Sequence, residues 1–151
     1  IAIGAIVFGP YVGAFLGFID GLVILFAPST ASVFFSISPI GTIITCLTKT
    51  TLAGLISGFI YKIFKNKHQS LGAIIASLLV PLINTLVFSG MVFIFFSEIL
   101  KTTDMQNAFP NVFLALILGV LGWNFVFEFS VTAILSPSIV RIMQIQRRKR
   151  I

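Results

Sequence analysis

From residue 71 to residue 97 the chain carries no charged side chain. A helix needs about 20 predominantly apolar residues to cross the hydrocarbon layer of a bilayer. That layer offers no water to the backbone, so such a run must close its hydrogen bonds internally, as a helix. Predominantly apolar runs recur over 11–27, 40–63 and 112–135, each with one or two charged residues, and residues 1–8, "IAIGAIVF", read as the tail of one more span. Only 9% of the 151 residues are charged and 58% are hydrophobic, where a soluble domain has about 25% charged residues. A soluble fold of this size cannot hide so much apolar surface, and the 17 phenylalanines suit a surface that faces lipid. The expectation is an all-α integral membrane protein, a single transmembrane helical domain over 1–151. The chain opens with Ile1 inside an apolar run and reads as a fragment lacking an N-terminal part. No basic segment or cleavage site marks the opening as a signal peptide.

Polar breaks separate the runs. Gly9 and Pro10 make a tight break, with Pro10 suited to the first turn of a helix. "APSTASVFFSISP" (27–39) reads as an irregular segment near a membrane surface. "YKIFKNKHQS" ends the 40–63 span, and "SEILKTTDMQNAFPN" (97–111) is a polar loop. Past Pro137 an interfacial helix leads into "RIMQIQRRKR". The basic residues set the orientation, because Lys and Arg concentrate in cytoplasmic loops. Loop 62–69 and the C-terminus then lie in the cytoplasm, and loops 27–39 and 97–111 lie outside a cell membrane. The net charge of +6 therefore belongs to the flanks of spans, not to a nucleic-acid surface. Cys46 is single, without metal-ligand spacing around it, and His68 sits solvated beside Lys67.

Ionisable groups at membrane depth are costly and face a bundle interior or a cavity. Lys49 lies about 15 Å from the outer end of its span, at 1.5 Å per residue. Glu128 lies near the middle of the last span, and Asp20 two turns from the outer end of its own. Asn124 and Glu128 are four residues apart and share a helix face, which Thr132 continues. Asn84 and Thr85 follow Pro81, so a kink and a polar notch are expected together. Thr45, Thr48, Thr50 and Thr51 put four hydroxyls around the Lys49 ammonium. One reading makes Lys49 and Glu128 a structural ion pair, with the Asn and Thr groups as interhelical hydrogen bonds. The other has the groups converge on a ligand cavity, and the two are compatible. With Trp123, Phe125 and Phe127 nearby, such a cavity suits a small polar molecule. An ion pathway more often uses rings of identical groups. No nucleophile elbow, zinc-protease or phosphate-loop motif is present, so no enzyme is expected.

The stretch "GPYVGAFLGFIDG" (9–21) places Gly9, Gly13, Gly17 and Gly21 at intervals of four. In lipid, small residues let helix backbones approach closely. Gly54 and Gly58 offer a matching notch in the next span. Close packing of the two helices is the first reading, and docking of a partner subunit the second. Asp20 then sits near the outer mouth as a candidate for fixing loop 27–39.

Taken in order, four stretches resemble the substrate-binding S components of energy-coupling factor (ECF) vitamin transporters. "GAIVFGPYVGAFLGFIDGL" looks like that family's second-to-third span junction. "SPIGTIITCLTKTTLAGLISGFIYKIFK" looks like its fourth span, with Lys49 near the place where many relatives carry arginine, though no proline precedes it. "LLVPLINTLVFSGMVF" resembles the fifth, and "LGWNFVFEFSVTAILSPSIVRI" the sixth. The resemblance implies a six-helix bundle, of which this fragment holds the end of helix 2 and helices 3–6. It implies a high-affinity vitamin-binding subunit that works with a transmembrane coupling subunit and two ATPase subunits. No cofactor is expected in this chain, since the partners use the ATP. The pattern is most like the pantothenate-type members. Lys49 would pair the ligand carboxylate, and Asn84 and Asn124 would take its hydroxyls and amide, with Thr45, Thr85, Trp123 and Glu128 completing the site. Glu128 counts against a purely anionic ligand unless Lys49 or a water offsets it. Hydroxymethylpyrimidine, a thiamine precursor, would use Glu128 better, whereas riboflavin and folate need a larger, more aromatic pocket. The alternative of another class is a structural or assembly subunit without a ligand.

Overall fold

The computed structural model describes residues 1–28, 30, 34–96 and 122–148, with side chains at all of these except 122–124, 143 and 146–148. Among the described residues the chain is helical and has no strand. We number the helices α1 (Ala2–Phe8), α2 (Pro10–Leu25), α3 (Pro39–Phe64), α4 (Gln69–Phe95) and α5 (Gly122–Arg148). Local chemistry sets several ends. Gly9 adopts φ 104°, a conformation that side chains disfavour, and so turns the chain sharply between α1 and α2. The Ser38 hydroxyl accepts from the Gly41 N–H at 3.2 Å, capping α3, and Pro39 starts that helix. α4 stays helical through Pro81, and α5 through Pro137.

α3, α4 and the Phe125–Ile142 stretch of α5 are long and apolar enough to cross a membrane. The beginning of the last expected span, 112–121, lies outside the described residues, as does loop 97–111. α2 has 16 residues, about 24 Å at 1.5 Å per residue, less than the roughly 30 Å hydrocarbon layer. Large apolar side chains cover the outside: Tyr11, Phe26, Phe127 and Ile134 are each more than 70% exposed. That is the inverse of a soluble surface and the expected face toward lipid.

The tightest packing is the antiparallel seam of α2 on α3. Gly13, Gly17 and Gly21 are buried. A Cβ on Gly13 would lie 2.6 Å from the Gly54 carbonyl oxygen, and one on Gly21 2.7 Å from that of Cys46. A Cβ on Gly17 would run into the Thr50 carbonyl, one on Gly54 into that of Gly13, and one on Gly58 into Pro10. The line at intervals of four on α2 thus reads onto Cys46, Thr50, Gly54 and Gly58 of α3, also at intervals of four. The seam is intramolecular, and a partner subunit reaches these glycines only if α2 leaves α3. Gly9 is the exception, with nothing within 4 Å of a built Cβ.

α3 pairs in turn with α4. The Ser57 hydroxyl donates to the Ala76 carbonyl at 2.6 Å, a tie between the two spans at a fully buried position. Around it, Ile6, Tyr61, Ala73, Ala76 and Ile139 form one buried apolar cluster near the 65–68 turn. A second cluster lies toward the other end of α4. There Phe34, from the segment before α3, stands edge-on to Phe88 and Phe96, with ring centroids 5.8 and 5.2 Å away. Between the apolar floor and the aromatic roof, α4 presents Asn84, Thr85 and Phe88.

Candidate functional site

Polar groups from four helices meet at this middle level. Lys49 is half-buried on α3, and its ammonium lies 4.7 Å above the Phe88 ring of α4. The ring's negative face attracts the cation, an interaction worth about 2 kcal/mol when desolvated. One turn below Phe88, the Asn84 amide donates to both carboxylate oxygens of Glu128 on α5, at 3.4 and 3.3 Å. These are long for N–H···O bonds and correspondingly weak. Asp20 of α2 is within electrostatic reach of both Lys49 and Glu128. Two carboxylates therefore act on one ammonium through space.

The expected Lys49–Glu128 ion pair is not formed, although the two act on each other through space. Lys49 spends its charge on a ring face, and Glu128 takes the Asn84 amide. The expected ring of threonine hydroxyls around the ammonium is also absent among the described residues. Thr50 instead donates to the Cys46 carbonyl at 3.0 Å, beneath Gly21. Thr132 likewise returns its proton to the Glu128 backbone carbonyl at 2.8 Å. Both follow the usual habit of threonine in a membrane helix, bonding the carbonyl one turn back. Thr45 behaves differently. It is 1% exposed, and its hydroxyl has no hydrogen-bond partner among the described residues. The same is true of the Asn84 amide oxygen and the Thr51 hydroxyl. A buried polar atom left unpaired costs about 1–3 kcal/mol, so Thr45 and Asn84 have hydrogen-bonding capacity that the other described residues do not use.

Thr85 is half-buried beside Asn84, and its carbonyl accepts from Ser89 at 2.7 Å. The side chains of Trp123 and Asn124, both expected in the site, lie outside the described residues. Phe125 pairs with Phe129, ring centroids 5.4 Å apart. Phe127 is 74% exposed and faces away from the bundle, which corrects its expected place near the site: it is adjacent to Glu128 in sequence, and neighbours on a helix point about 100° apart.

One member of the cluster is not evident from sequence: Phe88 carries no polar signal, though its spacing of four from Asn84 puts it on the same face. Asp20 precedes Gly21, which packs on Cys46 and Leu47 of α3. Among the described residues no three acidic, Cys or His groups converge to hold a metal ion.

A family model described as the ECF transporter substrate-specific component matches residues 1–140. The chain belongs to that family. Neither curated proteins nor solved structures gave a match. An ECF substrate-specific component is a transporter's substrate-binding membrane subunit, not an enzyme. The all-helical bundle and its lipid-facing surface are those of a multi-pass membrane protein.

Proposed function

We propose that the chain is the high-affinity vitamin-binding subunit of an ECF-type importer. It takes its substrate from outside and delivers it through a transmembrane coupling subunit driven by two ATPase subunits. Loop 62–69 and the C-terminus face the cytoplasm, a reading supported by their excess of Lys and Arg. The substrate is pantothenate. Lys49 is the observation that supports it: its half-buried ammonium has a ring face and no ion pair or hydrogen bond among the described residues. An anionic ligand group supplies the missing partner. The Asn84 amide oxygen and the Thr45 hydroxyl have no partner among the described residues; the first would accept from, and the second accept from or donate to, the ligand's hydroxyls and amide. Thr85, Trp123, Asn124 and Glu128 complete the proposed lining.

A second reading rests on Asp20. With Glu128 it puts two carboxylates near one ammonium, a field that favours an amine-bearing ligand such as hydroxymethylpyrimidine over an anion. Binding of radiolabelled pantothenate, hydroxymethylpyrimidine, riboflavin and folate to the purified full-length protein separates these cases. The proposal expects pantothenate to bind below micromolar. Tight binding of the pyrimidine alone would transfer the assignment to it. If no vitamin binds below micromolar, the chain is a structural or assembly subunit and the transport reading fails.

A further inference from the structure

We propose that the end of the bundle carrying the 65–68 turn binds anionic phospholipid headgroups. In sequence, eight of the ten Lys and Arg residues fall within 62–67 and 141–150, and none of the four acidic residues does. The fold unites the two segments. Tyr61 of α3 and Ile139 of α5 belong to one buried cluster with Ile6 and Ala73. Lys62 follows Tyr61 directly, and Arg141 is two residues beyond Ile139, so both leave that cluster at the same end of the bundle. Lys62, Lys65, Lys67 and Arg141 are all exposed. α4 begins at this end too, with no acidic residue in its first turn and no capping side chain. The positive end of its dipole adds to the field of the lysines. Neither described carboxylate belongs to this end: Glu128 takes the Asn84 amide at the middle level, and Asp20 lies toward the other end of α2, next to Gly21 on Cys46.

The apolar neighbours of these cations favour a lipid over an acidic protein. Ile63 adjoins Lys62 and is 71% exposed, Ile142 adjoins Arg141, and Leu71 and Ile145 are exposed as well. Exposed aliphatic side chains interleaved with cations match the boundary between acyl chains and headgroups. There Lys and Arg lay their stems along apolar surface and lift their charges to the phosphates. An acidic soluble partner makes no use of the isoleucines.

The full chain is reconstituted in vesicles of equal parts phosphatidylcholine and phosphatidylglycerol and extracted in mild detergent. The ratio of the two lipids that stay bound is read by mass spectrometry. The unmodified protein retains phosphatidylglycerol in excess. Lys62→Gln with Arg141→Gln lowers that excess by roughly fivefold per charge removed, and Lys62→Arg preserves it. Lys65→Gln with Lys67→Gln, on the turn itself, reads the same effect if the first pair folds poorly. Equal retention of both lipids by the unmodified protein overturns the proposal, as does an excess that neither pair lowers. A pair that keeps its lipid but no longer co-purifies with the coupling subunit also overturns it, because the surface is then a protein-docking face.

Discussion

At the scale of single residues, the chain's chemistry turns on how Lys49 is held. Its ammonium rests on Phe88, a partner that attracts it without neutralising it, so the charge stays available to a ligand. Lys49→Met keeps the length and apolar stem and removes the charge. It should cost pantothenate binding about 3 kcal/mol, over a hundredfold in Kd, as expected when one partner of a desolvated charge pair is lost. Isothermal titration on the purified protein checks it. Glu128→Gln discriminates between the two ligands. It keeps a hydrogen-bond acceptor within reach of Asn84 and removes a negative charge. Pantothenate should then bind equally well or several-fold tighter, whereas hydroxymethylpyrimidine should lose at least about tenfold, the 1.4 kcal/mol of a weakened charged hydrogen bond.

At the scale of elements, the α2–α3 seam sets the register of α2 on α3. Gly17→Ala tests it with a single methyl group. Its Cβ would meet the Thr50 carbonyl, a backbone group that cannot rotate away. The expected loss is about 2–3 kcal/mol, in the range of overpacking a tight site, read as a lower midpoint of thermal unfolding in detergent. Gly90→Ala is the matched control. Nothing lies within 4 Å of its built Cβ, so it should be neutral or stabilise α4 by up to about 1 kcal/mol through helix propensity. If the two substitutions shift the midpoint equally, close packing at the seam does not govern Gly17. The Ser57 tie between α3 and α4 calls for a smaller number. Ser57→Ala should cost only about 0.6 kcal/mol, the average for such bonds between membrane helices.

For the whole molecule, the question is whether the polar cluster serves a ligand or only joins helices. In cells that also make the coupling and ATPase subunits, Lys49→Met should abolish vitamin uptake while the complex still co-purifies. Reduced yield of the complex with uptake per complex unchanged would show that the cluster only joins helices. Phe34, which closes the aromatic roof over Phe88, offers a second test at this scale. Phe34→Ala leaves the helices and their seams in place but uncovers the ring beneath Lys49. Ligand dissociation should speed up several-fold with little change in the unfolding midpoint, measured by filter binding alongside thermal melts.

The sequence by itself determined the fold class and the identity of most polar groups in play. Hydrocarbon admits so few backbone solutions that long apolar runs already specify helices, and the rarity of charge inside them singles out Lys49 and Glu128. The interval of four in the glycine line also announced a seam, because small residues on one helix face have few other uses in lipid. Tertiary structure decided the pairings. Whether Lys49 meets Glu128 or Phe88 depends on how α3, α4 and α5 are rotated about their own axes. Those rotations are set by where backbones can touch, at Gly13, Gly17, Gly21, Gly54 and Gly58. One helix's periodicity says which residues share a face, and only packing against the next helix says what that face meets.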